Sequence, residues 1–289
     1  MADRLQALLA HFAVSAHTFQ AGALCGINAL DGSGTDGQLH LIREGEVEVR
    51  HGKSETVRIR EPSLLLYPRP MAHRFITDAV RGADFVCANL SFEGGNANPI
   101  ASALPPFICL PLAKLQGCEA VLALLFDEAL AQNCGRQAML DRLFEVVLIQ
   151  VLRQLMEQGK TQVGMLAGLA HPQLRKAMVV MHEEPQKEWS LEDLAAKATM
   201  SRSAFASGFR KAVGVTPGVY LQRWRVGLAQ KALLQGKSLK LIAQDVGYGS
   251  EAALSRAFKA QSGRSPRAWR TEQNLAIASA PAPISPIRM

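Results

Sequence analysis

The 289-residue chain has only five cysteines: Cys25, Cys87, Cys109, Cys118 and Cys134. They are odd in number, widely spaced, and never stand as C-x-x-C. That pattern argues against a secreted disulfide framework and against a structural zinc site, so the expected compartment is a reducing cytoplasm. Long apolar runs are also missing. No stretch approaches the roughly 18 apolar residues that cross a bilayer, so no membrane partner is expected. The opening MADRLQALLAHFAV carries Asp3 and His11 and has no small-residue cleavage site. It reads as an amphipathic helix, not a leader. No nucleophile–base constellation is visible, so neither an enzyme nor a cofactor is expected.

What the chain does have is an uneven charge. The formal net charge is +7. Residues 171–270 hold 17 Lys and Arg against 7 Asp and Glu, whereas residues 1–170 hold 14 against 17. The whole positive excess sits in one block of about a hundred residues, the footprint of a polyanion-binding domain. On charge alone a merely solvated basic surface stands level with it.

The period of the apolar residues changes along the chain. Over residues 20–110, turn signals (DGSGTDG, HGKS, EGGNANP) separate short runs of near-period-2 spacing: LHLIREGEVEV, TVRIREPSLLLYP and ADFVCANLSF. Short strands with tight turns predict a sandwich or barrel. Residues 112–160 switch to helical spacing in two segments. In the second, Leu140, Leu143, Val147, Ile149, Val151, Leu152 and Leu155 cover more than one face, which suits a helix with a second subunit as partner or one buried in its own domain. Residues 161–170 read as a linker, and the Pro/Ala-rich residues 273–289 as a disordered tail.

The basic block writes one pattern twice. FASGFRKAVGVTP (205–217) returns as LSRAFKAQSGRSP (254–266). In the first copy, Ser190 and Asp193 resemble a capping box. Leu191, Leu194 and Ala195 give a short apolar face, and Thr199-Met200 breaks the helix. Ser201 caps a second helix with Phe205 and Phe209 on its buried side, and Gly214 and Pro217 stop it. The second copy repeats the start at an offset of 48 (Ser238, Leu239, Ile242, Ala243). It repeats the rest at 49 (Ser250, Leu254, Phe258, Gly263, Pro266, Trp269). The extra residue falls around Gly247-Tyr248-Gly249. Each copy is a helix-turn-helix, and VYLQRWRVGLAQKALLQGK between them is long enough to hold the two apart. Such a pair could enter two successive major grooves, which recur about every 34 Å on one face of the duplex.

IAQDVGYGSEAALSRAFKAQSGRSPRAWR (242–270) resembles the signature of the AraC/XylS family of bacterial transcription regulators, and the resemblance covers residues 171–270. It departs at Leu254, where many members carry an aromatic, and at Gly208 inside the first recognition helix. The resemblance implies base-reading positions at Ser203, Ala206 and Ser207 in the first unit and at Glu251, Ala252, Ser255 and Arg256 in the second. Arg202 and Arg210 flank the first set. Helix N-termini at Ser201 and Ser250 suit phosphate. Arg256 can pair with guanine O6/N7 and Glu251 can accept from cytosine N4, so the second unit is the better equipped reader.

Upstream, His40 leads to Gly45, and Pro68 stands five residues before His73. This resembles the cupin-type sensory domain of AraC-like regulators, a small jelly roll over about residues 10–110. Pro70 stands where the family's second motif has Gly. The resemblance implies His40 and His73 inside one barrel, as effector contacts, core residues or the beginnings of a metal site. The H-x-H…E metal set is missing, with Ile42 and Glu44 where it would run, so no metal is assigned. Similar regulators include members that sense reactive species through cysteines, and this implies Cys25 and Cys87 as candidate redox sensors. A buried cysteine acting as a small hydrophobe is the competing reading.

The expectation is therefore an α+β chain of two domains. Residues 1–160 form a cupin-like β jelly roll with a helical dimerisation segment, 161–170 a linker, 171–272 an all-α domain with two helix-turn-helix units, and 273–289 a tail. The implied function is a homodimeric transcription regulator whose partners are promoter DNA, RNA polymerase and a small-molecule or oxidant effector. The alternative is a cupin oxygenase or isomerase fused to a DNA-targeting module.

Overall fold

A computed structural model of the chain describes residues 3–52, 55–95, 98–158 and 163–278. The described residues form two compact units: those within 14–95 and 104–154, and those within 3–13, 98–103 and 155–278. The chain opens on α1 (Gln6–His11), which belongs to the second of these.

The first unit is a β-sandwich. Its strands are β1 (Val14–Leu24), β2 (Ile27–Leu30), β3 (Gly37–Glu44), β4 (Val47–His51), β5 (Glu55–Ile59), β6 (Ser63–Tyr67), β7 (His73–Ile76) and β8 (Ala83–Phe92). After α2 (Pro99–Ala103) comes β9 (Ile108–Pro111). One antiparallel sheet runs β1-β8-β3-β6-β9 and the other β2-β7-β4-β5. Their inner faces meet in a core that takes Phe19, Ile42, Leu65 and Phe85 from one sheet and Leu30, Val49, Ile59 and Phe75 from the other. This is the jelly-roll arrangement that short alternating strands build. The run LHLIREGEVEV is continuous in period but breaks into β3 and β4 at Gly45, where φ is +98° and a Cβ would stand 2.7 Å from the Ala83 Cα.

Two helices follow, α3 (Glu119–Leu130) and α4 (Arg136–Glu157). An exposed sheet edge offers unpaired backbone groups, and α4 side chains cover the edge of β1. The Thr18 amide donates to Asp141 at 2.7 Å, the Ala16 amide donates to Glu145, and Gln137 donates to the Thr18 carbonyl. The unit buries Leu140, Val147, Val151 and Leu152 of α4, but Leu143 and Ile149 are half-buried and Met139 and Val146 are exposed.

The second unit is helical: α5 (Met165–Ala170), α6 (Leu174–Glu183), α7 (Leu191–Lys197), α8 (Arg202–Val213), α9 (Pro217–Leu234), α10 (Leu239–Asp245), α11 (Glu251–Ser262) and α12 (Pro266–Ala278). Its core includes α1. Phe12 lies edge-on to Trp224 of α9 at 5.0 Å, and Lys231 donates to the His11 carbonyl at 2.7 Å. Two expectations change here. Residues 165–170 of the expected linker are helical, because Met165, Leu166 and Leu169 are buried in the unit and Gly168 packs where a Cβ would run into Met178 and Val213. Helix α12 runs to Ala278, six residues into the expected tail, on Pro266 at its first turn and a buried Trp269. The tail beyond Ala278 lies outside the described residues.

Candidate functional site

The two helix-turn-helix units are α7–α8 and α10–α11. Ser190 accepts from the Asp193 amide and Asp193 accepts from the Ser190 amide, a reciprocal capping box with Asp in the acidic position. The side chains of Ser201, Ser238 and Ser250 each accept from the amide three residues on. Helices α8 and α11 both stop on a left-handed glycine, Gly214 at φ +84° and Gly263 at φ +74°. Their cores repeat as well. Phe209 meets Tyr220 at 5.6 Å and 71°, and Phe258 meets Trp269 at 5.6 Å and 75°. The turns differ. The first places Thr199 at φ +55°, a strained position for a β-branched residue. The second has Gly247 at the equivalent place, at φ +82°.

With Phe205, Phe209 and Val213 buried, α8 presents Arg202, Ser203, Ser207 and Arg210 to solvent, and Ala206 is half-buried. With Leu254, Ala257 and Phe258 buried, α11 presents Glu251, Ala252 and Arg256, and Ser255 is half-buried. Ser201 and Ser250, at the helix starts, are exposed. Arg202 is tied to Glu192 of α7, an exposed pair that braces the first unit weakly. One exposed cation was missed from sequence. Lys259 follows Ala252 and Arg256 on the α11 face, and an offset of 49 from Arg210 would have found it. A Cβ at Gly208 would meet only the Met200 methyl, at 3.6 Å, which is ordinary contact distance, so no close helix approach requires this glycine.

In the sandwich, His40 and His73 face one another, with Nε2 atoms 3.2 Å apart. His73 Nδ1 donates to the Met71 carbonyl at 2.8 Å, which leaves its Nε2 to accept from His40. His40 Nδ1 is then a buried acceptor with no partner among the described residues. Tyr67 stacks on His73 at 4.0 Å and shares a 2.8 Å hydrogen bond with His51. Burial lowers both histidines: His40 falls well below the usual range, with His73 adding to the effect, and His73 falls to about 4. Both rings are neutral at pH 7. Cys87 pairs with His40 across β8 and β3 and is buried, and burial pushes its thiol up. Cys25 is exposed, with its sulfur 3.7 Å from the Val80 carbonyl. The structure thus brings His40, His73 and Cys87 to one core and leaves Cys25 at the surface. No group of three metal-binding side chains occurs among the described residues, and no helix there is long and apolar enough to cross a membrane.

Comparison with known proteins follows the same division. Residues 3–157 match the cupin family and residues 194–272 match the helix-turn-helix domain family. The chain is 30% identical to the HTH-type transcriptional regulator AlkR of Acinetobacter baylyi over 267 residues, covering 81% of this chain and 87% of AlkR. It is 27% identical to RclR of Escherichia coli, named as an RCS-specific HTH-type transcriptional activator, covering 80% and 83%. It is 40% identical over 172 residues to a Streptomyces antibioticus protein described as an AraC-like transcription regulator; the match spans 58% of this chain and 56% of that relative, a little over half its length.

Proposed function

Because the chain belongs to the AraC family of transcription regulators, with a cupin domain ahead of its helix-turn-helix domain, we propose that it is a one-component cytoplasmic regulator that binds promoter DNA through α8 and α11. The observation that carries this is the matched pair of helix-turn-helix units. Caps, stops and core contacts agree, while the exposed faces keep small side chains and cations: Arg202, Ser203, Ala206, Ser207 and Arg210 on α8, and Ala252, Ser255, Arg256 and Lys259 on α11, with the anion Glu251 at the start of α11. Small residues let a helix sink into the major groove, and cations at its rim reach phosphate. Base reading falls mainly to α11, where Arg256 takes guanine and Glu251 takes cytosine, with the amides at Ser201 and Ser250 on phosphate.

The division of labour is sensing and dimerisation in residues 1–160 and DNA binding in residues 171–272. The role is regulatory and not catalytic. The protein works as a homodimer joined through α4, whose Met139, Leu143, Val146 and Ile149 offer apolar surface that its own unit leaves uncovered or half-covered. RNA polymerase is the further partner. The signal enters the sandwich. RclR is named for its RCS specificity, and the same class of signal fits this chain: Cys25 offers an accessible thiol, while His40 and His73 form a core that an effector would disturb, and Cys87 beside them, buried with its thiol pushed up, is the poorer target of the two cysteines.

Two experiments test the reading. The 289-residue chain is challenged with a random duplex pool, and recovery of one sequence with two protected major-groove segments supports it. Recovery of no preferred sequence defeats it. A Cys25→Ser/Cys87→Ser chain that still answers oxidant fully in a promoter reporter removes the thiols from the sensing role.

A further inference from the structure

The turn of the second helix-turn-helix unit touches the segment that leads into the first, and the contact is built around one side chain of the helix between the units. Arg225 lies on α9 and is half-buried. Its Nε donates to the Pro185 carbonyl at 2.6 Å and its Nη2 to the Lys187 carbonyl at 2.8 Å. Those carbonyls belong to the segment that leads into the first unit, ending at the Ser190 cap of α7. The same guanidinium lies 5.7 Å from the centre of the Tyr248 ring, in the turn of the second unit. One residue of α9 therefore holds the lead into the first unit and the turn of the second at once.

The held segment is firm on its own. The Lys187 amide donates to the Glu184 carbonyl, Trp189 Nε1 donates to the same carbonyl at 3.0 Å, and the Lys187 ammonium sits 4.1 Å from the Trp189 ring centre. The second unit's turn meets it backbone to backbone. Gly247 is at φ +82°, and a Cβ there would stand 2.5 Å from the Gln186 carbonyl oxygen. This turn holds the one extra residue that distinguishes the second copy of the repeat from the first. The insertion, the glycine and the arginine all meet where the second unit's turn abuts residues 185–187.

Resting on the regulator reading above, we propose that Arg225, with the Gly247–Tyr248 turn, is a positioning residue that sets the separation of α8 from α11 and hence the number of base pairs accepted between the two contacted segments. Arginine suits the task because its planar fork bridges two carbonyls while its face lies over a ring, whereas lysine is a single point donor. Two helices on a long connecting helix could flex relative to one another. Two helices whose flanking turns are bolted together present one fixed spacing.

The test uses the full chain and the duplex it selects from a random pool. That duplex is remade with one base pair added or removed between the two protected segments, a change of about 3.4 Å and about a tenth of a turn. Wild type should lose about tenfold or more in affinity, which is about 1.4 kcal/mol. Arg225→Ala should show a penalty of about threefold or less, and Arg225→Lys should follow it, with the lysine variant carrying the test should the alanine variant not fold. Tyr248→Phe keeps the ring beneath the guanidinium and should keep the wild-type spacing profile, which a general loss of stability would not predict. An Arg225 variant that is folded and still about tenfold selective for spacing overturns the inference, as does a wild type that recognises a two-part sequence but tolerates every spacing. A wild type that selects no sequence at all overturns the regulator reading and this inference with it.

Discussion

Truncating Phe12 to alanine tests whether the first helix of the chain belongs to the helical unit. The side chain is 3% exposed and lies edge-on to Trp224. Gly227 opens the surface of α9 beneath it; a Cβ at Gly227 would be 3.3 Å from the Phe12 ring. Removing a buried phenylalanine costs about 3–5 kcal/mol, of which the aromatic pair accounts for about 0.5–1.5. Neighbouring side chains can close part of the cavity, so the lower figure of about 3 kcal/mol applies. A domain is held by about 5–15 kcal/mol, so the loss is a large fraction. The assay is direct because all three tryptophans, Trp189, Trp224 and Trp269, lie in the helical unit. Tryptophan emission during urea unfolding therefore follows that unit alone. Phe12→Ala should lower its midpoint with the slope unchanged. A shift equivalent to less than about 0.5 kcal/mol would refute the docking of α1, since that is the range of ordinary surface substitutions.

Other expectations follow from single residues. Gly208→Ala should stabilise the helical unit by about 1 kcal/mol, because helix propensity improves and only ordinary contact awaits the new methyl; destabilisation in the same urea assay would contradict this. Ser190→Ala removes the cap of α7 and should cost about 1 kcal/mol by the same measurement, with no change showing that the capping box is not formed in solution. His40 and His73 are held neutral in the fold, below their ordinary value of about 6.5. The unfolded chain thus takes up protons first as pH falls. Their contribution is complete above about pH 6.5 and is lost toward acid, until about pH 4 for His73, at up to about 1.4 kcal/mol per unit for each ring. The opening free energy of β3 and β7 from hydrogen exchange, after correction for the intrinsic pH dependence of amide exchange, should fall across that window toward acid, and an opening free energy that does not change would contradict buried neutral histidines. A thiol reagent should modify Cys25 quickly and Cys87 only on unfolding; equal rates would show that the sandwich opens readily.

The helical unit was legible residue by residue, because its signals are local. Ser190, Ser201, Ser238 and Ser250 announce helix starts, Gly214 and Gly263 announce stops, and the repeat makes each copy a check on the other. The sandwich was legible as a class. Its strand order depends on pairings between distant residues, such as β1 with β8, that no local pattern encodes. The same limit hid the docking of α1 on α9, which joins Phe12 to Trp224, and the Arg225 contacts with Pro185 and Lys187. Residues 165–170 looked like a linker because small residues such as Ala167 and Gly168 leave an isolated helix little to bury; here burial of Met165, Leu166 and Leu169 supplies what the short segment lacks by itself. His40 and His73 could be placed in one barrel by resemblance, but their 3.2 Å approach and the tautomer it imposes needed the folded chain.

If the two matched units read DNA unequally, with α11 the stronger reader, the affinities of Arg256→Ala and Ser207→Ala for the selected duplex and for every single-base variant of it will show the difference. Arg256→Ala should lose about 1–3 kcal/mol and relax the preference at one base pair, while Ser207→Ala should change little. A uniform loss over all sequences for Arg256→Ala, with the base preferences intact, would make that residue a phosphate contact and contradict the claim.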